Sequence, residues 1–305
     1  MAAGSGGRYR RGMRNADLDA ETDFVRIYRE LAQYEFPWDF NQSLSFALFR
    51  TYAVPSIGRL LDETHEFAER TQKRYDDTAL LLDEVLGKGF DSPDGLEAVR
   101  RINGMHRMYD ISNDDMRYVL STFVVVPKRW IDRYGWRGLT PAEVTASVRY
   151  YQALGRHLGI KDIPESYASF AELMDSYERA HFGFDEGGRR VADATLELLT
   201  TFYPRPLAPL LRIFSRSLMD PPLLTAFGYA EPGMLARRLS ERALRIRARF
   251  VRLLPPRRTP VTAASLARIR SYPAGFFVRD LGTFAPGCPV HHRAAPGDSA
   301  ASASA

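Results

Sequence analysis

Residues 101–140 read RINGMHRMYDISNDDMRYVLSTFVVVPKRWIDRYGWRGLT, and this stretch predicts a fold of consecutive helices. Ser112 or Asn113 is expected to cap one helix, because a short polar side chain before an apolar periodic run is a typical helix start. The apolar run Met116–Val126 follows, and we expect the helix to end at Pro127, since proline lacks the backbone N–H and clashes with the preceding turn.

Two further helix starts lie on either side of this run. Ser92 followed by Pro93 predicts a helix that passes through His106. Thr140 and Glu143 have the spacing of a capping box, in which each side chain accepts from the other residue's backbone N–H. The spacing of these capping signals is therefore typical of an α-helical protein.

The rest of the chain extends this helical pattern. No segment alternates apolar and polar residues for long, so strands are not predicted. The N-terminal end is rich in Gly and Arg and the C-terminal end in Pro, Gly, Ala and Ser, which predicts disordered tails at residues 1–17 and 285–305 around one large helical domain at 18–284. The expected fold class is all-α.

Other helices are predicted at Asp19–Gln33, Gln42–Tyr52, Pro55–Gly87 (one or two), Tyr167–His181, Arg189–Phe202, Leu207–Met219, Pro232–Leu254 and Ala263–Arg270.

Composition excludes several classes of protein. The net charge of the 305 residues is +5, too small an excess to indicate a nucleic-acid partner. Cys288 is the only cysteine, so no disulfide forms within the chain and no CxxC site exists. No signal peptide is apparent, and the longest apolar run is shorter than the roughly 20 residues that span a bilayer. We expect a cytoplasmic protein, or one bound at a membrane surface.

The predicted helix at Pro232–Leu254 is amphipathic. This residue pattern favours a surface helix that packs on the core through its apolar stripe. The alternative is docking onto an anionic membrane surface through the arginines beside that stripe. The stripe is Leu235, Leu239, Ala243, Ile246, Phe250 and Leu253, and the arginine row is Arg238, Arg242, Arg245, Arg249 and Arg252.

Common catalytic motifs are absent from the sequence. It has no HExxH, no GxSxG, no GxxxxGK[ST] and no GxGxxG after a strand, which excludes the usual zinc, hydrolase and nucleotide signals. His106 ends a predicted helix beside Met105 and Tyr109. By itself this position favours a partly buried, hydrogen-bonded core histidine over a ligand, although an all-helical protein with one such histidine leaves haem open.

A second polar cluster lies at the start of another helix, in Lys73-Arg-Tyr-Asp-Asp-Thr78. Arg74 and Thr78 are four residues apart and share one face, with Asp77 beside them. One interpretation is that these residues form a solvated helix start with an Asp–Arg ion pair. The alternative is that they form a polar group at the mouth of an apolar ligand pocket.

Five stretches together resemble the MpaB/rubber-oxygenase family. The resemblance covers about residues 36–284 and is closer to the MpaB branch. Besides 101–140, the stretches are FALFRTYAVPSIGRLL (46–61), KRYDDTALLL (73–82), YYQALGRHLGIKDIP (150–164) and SYPAGFFVRDLGTF (271–284).

The resemblance implies both a cofactor and residue roles. The family is all-helical, encloses a b-type haem, and cleaves a carbon–carbon double bond of an isoprenoid chain with dioxygen. Its motifs place the axial iron ligand at His106 and distal-side catalytic residues at Arg74 and Thr78. The rubber-cleaving branch has lysine at the position of Asp77, so this acid, also a catalytic candidate, is similar to the MpaB branch.

The predicted function is accordingly that of a haem-b oxygenase, with dioxygen as co-substrate and a hydrophobic, prenyl-like small molecule as substrate. Two alternatives stay open. One is a haem protein with peroxidase-like or sensing activity, and the other is a non-catalytic helical lipid-binding protein.

Overall fold

The computed structural model describes residues 15–284, and this part of the chain is all-α, as predicted. It contains thirteen α-helices and no β-strand in the described range. The helices are α1 Phe24–Glu30, α2 Pro37–Tyr52, α3 Pro55–Glu63, α4 Glu66–Glu69, α5 Thr71–Lys88, α6 Pro93–His106, α7 Asn113–Tyr134, α8 Pro141–His157, α9 Tyr167–His181, α10 Glu186–Thr200, α11 Ala208–Ser217, α12 Pro221–Ala226 and α13 Met234–Leu253.

Hydrogen bonds from backbone N–H groups to the capping side chains confirm the predicted helix starts. Ser92 accepts from the backbone N–H of Gly95 at 2.9 Å, and Ser112 accepts from that of Asp115 at 3.0 Å. Thr140 and Glu143 form the reciprocal capping box, with N–O distances of 3.2 and 2.9 Å. These contacts satisfy backbone donors that the first turn of a helix leaves without partners.

The predicted end of α7 at Pro127 is wrong. The helix continues through Pro127 to Tyr134 and ends at Gly135. Pro127 is buried, and α7 packs along α2 and α9. Burial of the apolar residues on both sides of the proline outweighs the cost of about 3 kcal/mol for proline inside a helix.

The C-terminal part of the fold is less helical than predicted. In place of a helix at Ala263–Arg270, the structure has one 3₁₀ turn at Ala263–Ser265. Residues 268–284, here called the C-terminal strap, cross α5 and α6 without an α-helix. The predicted tails, apart from residues 15–17, lie outside the described residues.

Helix α13 is a surface helix packed on the core, as predicted, but it packs through a different face from its apolar stripe. The helix contacts α7 and α11, and its buried residues are Ser240, Leu244 and Ala248. The apolar stripe predicted to face the core is instead exposed to solvent. Arg247 accounts for part of this orientation, because it reaches inward to Asp39 of α2.

Candidate functional site

Helices α5 and α6 bring the predicted site residues together. They pack against each other, with Arg74, Asp77 and Thr78 on α5 and His106 as the last residue of α6. Arg74 is close enough to His106 to lower the pKa of its imidazole. Two motifs that are about thirty residues apart in sequence therefore form one local site.

His106 has a buried ring nitrogen without a polar partner. Its Nδ1 is inaccessible to solvent and makes no hydrogen bond with any described residue. Burial, assisted by the positive charge of Arg74, lowers the pKa of His106 to about 4. The imidazole is therefore neutral at physiological pH, which is the form that binds metal ions and haem iron.

This arrangement fits a haem ligand. A buried polar atom without a partner is uncommon in folded proteins and calls for an explanation such as a missing ligand. The described residues contain no group of three or more His, Cys, Asp or Glu that would hold a metal ion without a prosthetic group.

Arg74 and Thr78 are joined by two hydrogen bonds. Arg74 Nη1 donates to Thr78 Oγ1, and Thr78 Oγ1 donates to the carbonyl of Arg74 at 2.9 Å. The hydroxyl proton of Thr78 is thus used within the helix, and its oxygen orients the guanidinium. The remaining N–H groups of Arg74 form no ion pair with a described carboxylate, so they are free to donate to a bound ligand.

Two aromatic side chains, Phe67 and Tyr52, lie near the Arg74 guanidinium. It lies 5.8 Å from the ring centroid of Phe67, whose ring is 5.6 Å from that of Tyr52. Tyr52 is buried, and this burial raises the pKa of its hydroxyl to about 12 despite the nearby Arg74. A cation that is partly buried beside aromatic rings is in a medium of lower dielectric constant than water. It therefore interacts more strongly with an oxygen ligand than it would in water.

Asp77 is engaged differently from its neighbours on α5. Its buried carboxylate accepts from Lys73 Nζ at 2.6 Å and from the hydroxyl of Tyr272. Both oxygens therefore have donors, one of which belongs to the C-terminal strap. In this structure Asp77 anchors the strap, and its predicted catalytic role stays a prediction.

Asp76 is an anchoring residue that was not among the predicted site residues. It is fully buried and accepts from the backbone N–H groups of Arg270 and Ser271 at 3.0 and 2.9 Å. Gln72 donates to its other oxygen at 2.8 Å. Two adjacent acids shortly before the apolar run Ala79–Leu82 were the available signal, since buried carboxylates require partners.

Arg101 holds the end of the strap against α6. Its Nε donates to the carbonyl of Leu281 at 3.0 Å, and its guanidinium lies 4.0 Å from the ring centroid of Phe284. The strap also packs on Met105, since a Cβ atom added to Gly282 would lie 2.4 Å from Met105 Sδ. The strap therefore supports the residue that immediately precedes His106.

No helix in the described part of the chain is long and apolar enough to cross a membrane.

Comparison with known proteins gives matches to one family. Residues 42–253, more than half of the chain, match the family model described as ER-bound oxygenase mpaB/B'/rubber oxygenase, catalytic domain. ER-bound oxygenase mpaB' of Penicillium brevicompactum is 32% identical over 268 residues, which are 82% of this chain and 63% of that protein. ER-bound oxygenase mpaB of the same organism is 33% identical over 66% of this chain and 56% of its own length.

A third relative is ER-bound oxygenase mpaB of Penicillium roqueforti (strain FM164). It is 33% identical over 69% of this chain and 77% of its own length. The chain spans less than two thirds of the length of the two Penicillium brevicompactum relatives. The family model and these relatives together show that the chain belongs to the family of mpaB-type and rubber oxygenases, on the mpaB side.

Proposed function

We propose that the protein is a haem-b-dependent oxygenase that uses dioxygen to cleave a carbon–carbon double bond in a hydrophobic, prenyl-like small molecule. The observation that carries the proposal is the buried, unpartnered Nδ1 of a neutral His106 beside Arg74. Membership of an oxygenase family supports the reaction class. The aromatic rings of Phe67 and Tyr52 near Arg74 support a hydrophobic substrate.

His106 would hold the haem by binding its iron. Haem, when bound, supplies the iron chemistry that lets dioxygen react with an alkene. The low pKa of His106 keeps the imidazole unprotonated, so no proton competes with the iron at physiological pH. The strap contact on Met105 fixes the end of α6 and thereby the position of the ring.

Arg74 would be the principal hydrogen-bond donor to oxygen atoms in the site. Its guanidinium is held by Thr78, so its direction is set before a ligand arrives. Preorganised donors of this kind stabilise developing negative charge because they need no reorientation during the reaction. Thr78 would act chiefly by positioning Arg74, and Asp77 by fixing Lys73 and Tyr272 beside it.

The proposed reaction balances without an external reductant. One dioxygen and one carbon–carbon double bond give two carbonyl groups, with one oxygen atom in each. A haem protein with peroxidase-like or sensing activity would need the same His106 but would not form these products.

The test is haem content together with product analysis in the full chain. Wild type should bind b-type haem, and His106→Ala should lose it while keeping its helical circular dichroism. His181→Ala is the matched control, because His181 also ends a helix but is exposed and stacks on Tyr177. Unchanged haem binding in His106→Ala would contradict the ligand assignment.

Products are then sought among prenylated compounds under ¹⁸O₂. We expect labelled carbonyl groups on both fragments of a cleaved double bond. Haem-loaded protein that consumes no dioxygen with any prenylated substrate would favour the sensing alternative. Protein that is colourless and cannot be reconstituted with haem would favour the lipid-binding alternative.

A further inference from the structure

Helix α13 presents three distinct faces. Its inner face packs on the helical core through Ser240, Leu244 and Ala248. Arg247 fixes this face, because its Nη1 lies 3.0 Å from a carboxylate oxygen of the buried Asp39 and its guanidinium covers the Trp38 ring at 3.8 Å. The helix is therefore held against the domain in one orientation.

The outer face is an apolar stripe that no described residue covers. At 3.6 residues per turn, its members lie roughly opposite the buried residues. The neighbouring helix α11 also exposes Leu210 and Ile213. The large side chains of the α13 stripe, with their exposed fractions, are Leu235 71%, Leu239 58%, Ile246 54%, Phe250 63% and Leu253 82%.

A row of arginines runs along one side of this stripe, one residue before each of its members from Leu239 to Leu253. Arg238, Arg242, Arg249 and Arg252 make no ion pair with any residue from 15 to 284. The single acid among them, Glu241, is engaged by Arg133 and by Arg245. Arg238, Arg242, Arg245 and Arg249 line a surface groove together with Glu241 and Ile246.

We propose that α13 is a membrane-docking helix that lies in the plane of an anionic lipid surface. The apolar stripe enters the boundary between headgroups and acyl chains, and the arginines bind lipid phosphates in the groove beside it. Helices that lie in a bilayer interface combine these two features: an apolar face and a flanking basic face. Arginine suits this role because its planar donors match phosphate oxygens.

Charge favours a lipid surface over a second copy of the chain. In an antiparallel isologous contact through the same stripe, the two arginine rows would lie on the same side of the seam and close together. Like charges at such a contact repel each other, whereas an anionic headgroup layer neutralises the whole row. The docking surface is separate from His106 and Arg74, so this proposal does not depend on the haem assignment.

The test is co-sedimentation of the full chain with vesicles at low salt. Vesicles of phosphatidylcholine mixed with phosphatidylserine should bind the protein, and pure phosphatidylcholine vesicles should bind it at least about tenfold more weakly. Added salt should weaken binding to the anionic vesicles. Absence of binding to anionic vesicles, or equal binding to both kinds, would overturn the proposal.

Paired substitutions identify the surface. Arg242→Glu with Arg249→Glu, and separately Leu239→Ser with Phe250→Ser, should each reduce vesicle binding about tenfold or more. Arg100→Glu with Arg156→Glu is the control for altered net charge, because both arginines are exposed, on α6 and α8, and the change in charge is the same. It should bind nearly as wild type does.

Circular dichroism, haem content and sedimentation equilibrium of the variants serve as controls for the vesicle measurements. All variants should keep the wild-type circular dichroism and haem content, which separates failure of docking from failure of the haem site. Binding that is unchanged in both double variants would overturn the proposal. A dimer in sedimentation equilibrium that Leu239→Ser with Phe250→Ser converts to monomer would assign the stripe to a second copy instead.

Discussion

Tyr272 donates a hydrogen bond to Asp77, and this contact ties the C-terminal strap to the helix that carries Arg74 and Thr78. Burial raises the pKa of the Tyr272 hydroxyl, and Asp77 raises it further, so the phenol stays protonated and remains a donor. Nearly two hundred residues separate the partners in sequence. The strap is thus part of the candidate site.

Removal of the Asp77 charge should loosen the strap. Asp77→Asn weakens the bonds to Lys73 and Tyr272 inside a buried environment, so we expect a loss of about 1–3 kcal/mol in the free energy of unfolding. Lys128 and Asp132 form a matched pair with the same i,i+4 spacing on an exposed surface. Asp132→Asn should cost about 0.5 kcal/mol or less. Equal losses in urea unfolding would show that Asp77 is not an anchor.

Gly282 should tolerate a side chain less well than Gly275. Both glycines have positive φ, +83° and +93°, so alanine is strained at either position. Only at Gly282 would the added Cβ meet another residue, Met105. Gly275→Ala should cost about 1 kcal/mol, and Gly282→Ala about 1–2 kcal/mol more. Haem affinity should fall only in Gly282→Ala, because Met105 adjoins His106; an equal fall in both variants would contradict this.

Stability of the haem-free protein should depend on pH through His106. Its pKa is lowered to about 4 in the folded state, below the ordinary histidine value of 6.5, so the unfolded chain binds more protons between these values. The free energy of unfolding is therefore unaffected by protonation of His106 above about pH 6.5, and it decreases as pH falls toward 4. The loss is on the order of 2–3 kcal/mol. His106→Gln should lack this slope in urea unfolding measured from pH 4 to 7, whereas His181→Gln should keep it.

Turnover should depend on the orientation of Arg74. Arg74→Ala should keep haem but reduce turnover per haem about 100-fold, in line with the loss of one preorganised donor. Thr78→Val removes the acceptor for the guanidinium and should reduce turnover about tenfold, while Thr78→Ser keeps the hydroxyl and should stay near wild type. If Thr78→Val and Thr78→Ser turn over equally, Thr78 does not position Arg74.

The anchor of α13 should be sensitive to Arg247. Burial raises the pKa of Asp39, and the bonds from Arg247 and Trp130 oppose that rise. Arg247→Met leaves Asp39 without its cation and should cost about 2–4 kcal/mol at pH 7. The loss should shrink toward pH 5, because the folded state then binds the proton more readily than the unfolded chain does. Arg133→Met, which breaks the exposed pair with Glu241, should cost less than about 1 kcal/mol at both pH values.

The predictions from sequence succeeded where a few neighbouring residues determine the structure. The caps at Ser92, Ser112 and Thr140 needed only their own first turns, and each was found as predicted. The prediction failed at Pro127, where the local preference to end a helix is overridden by packing of α7 on α2 and α9. It also failed at α12, a short helix that was not predicted.

The sequence by itself therefore determined the helical class, most helix starts and, through resemblance, the family and its candidate residues Arg74, Asp77, Thr78 and His106. Local hydrogen bonds and periodicity act within a few residues, so one sequence is enough to detect them. Only the tertiary structure decided that Asp76 and Asp77 anchor the strap and that the apolar stripe of α13 faces outward. Those outcomes depend on contacts between segments far apart in the chain, such as Asp39 with Arg247, and periodicity alone does not specify which face of a helix meets the core.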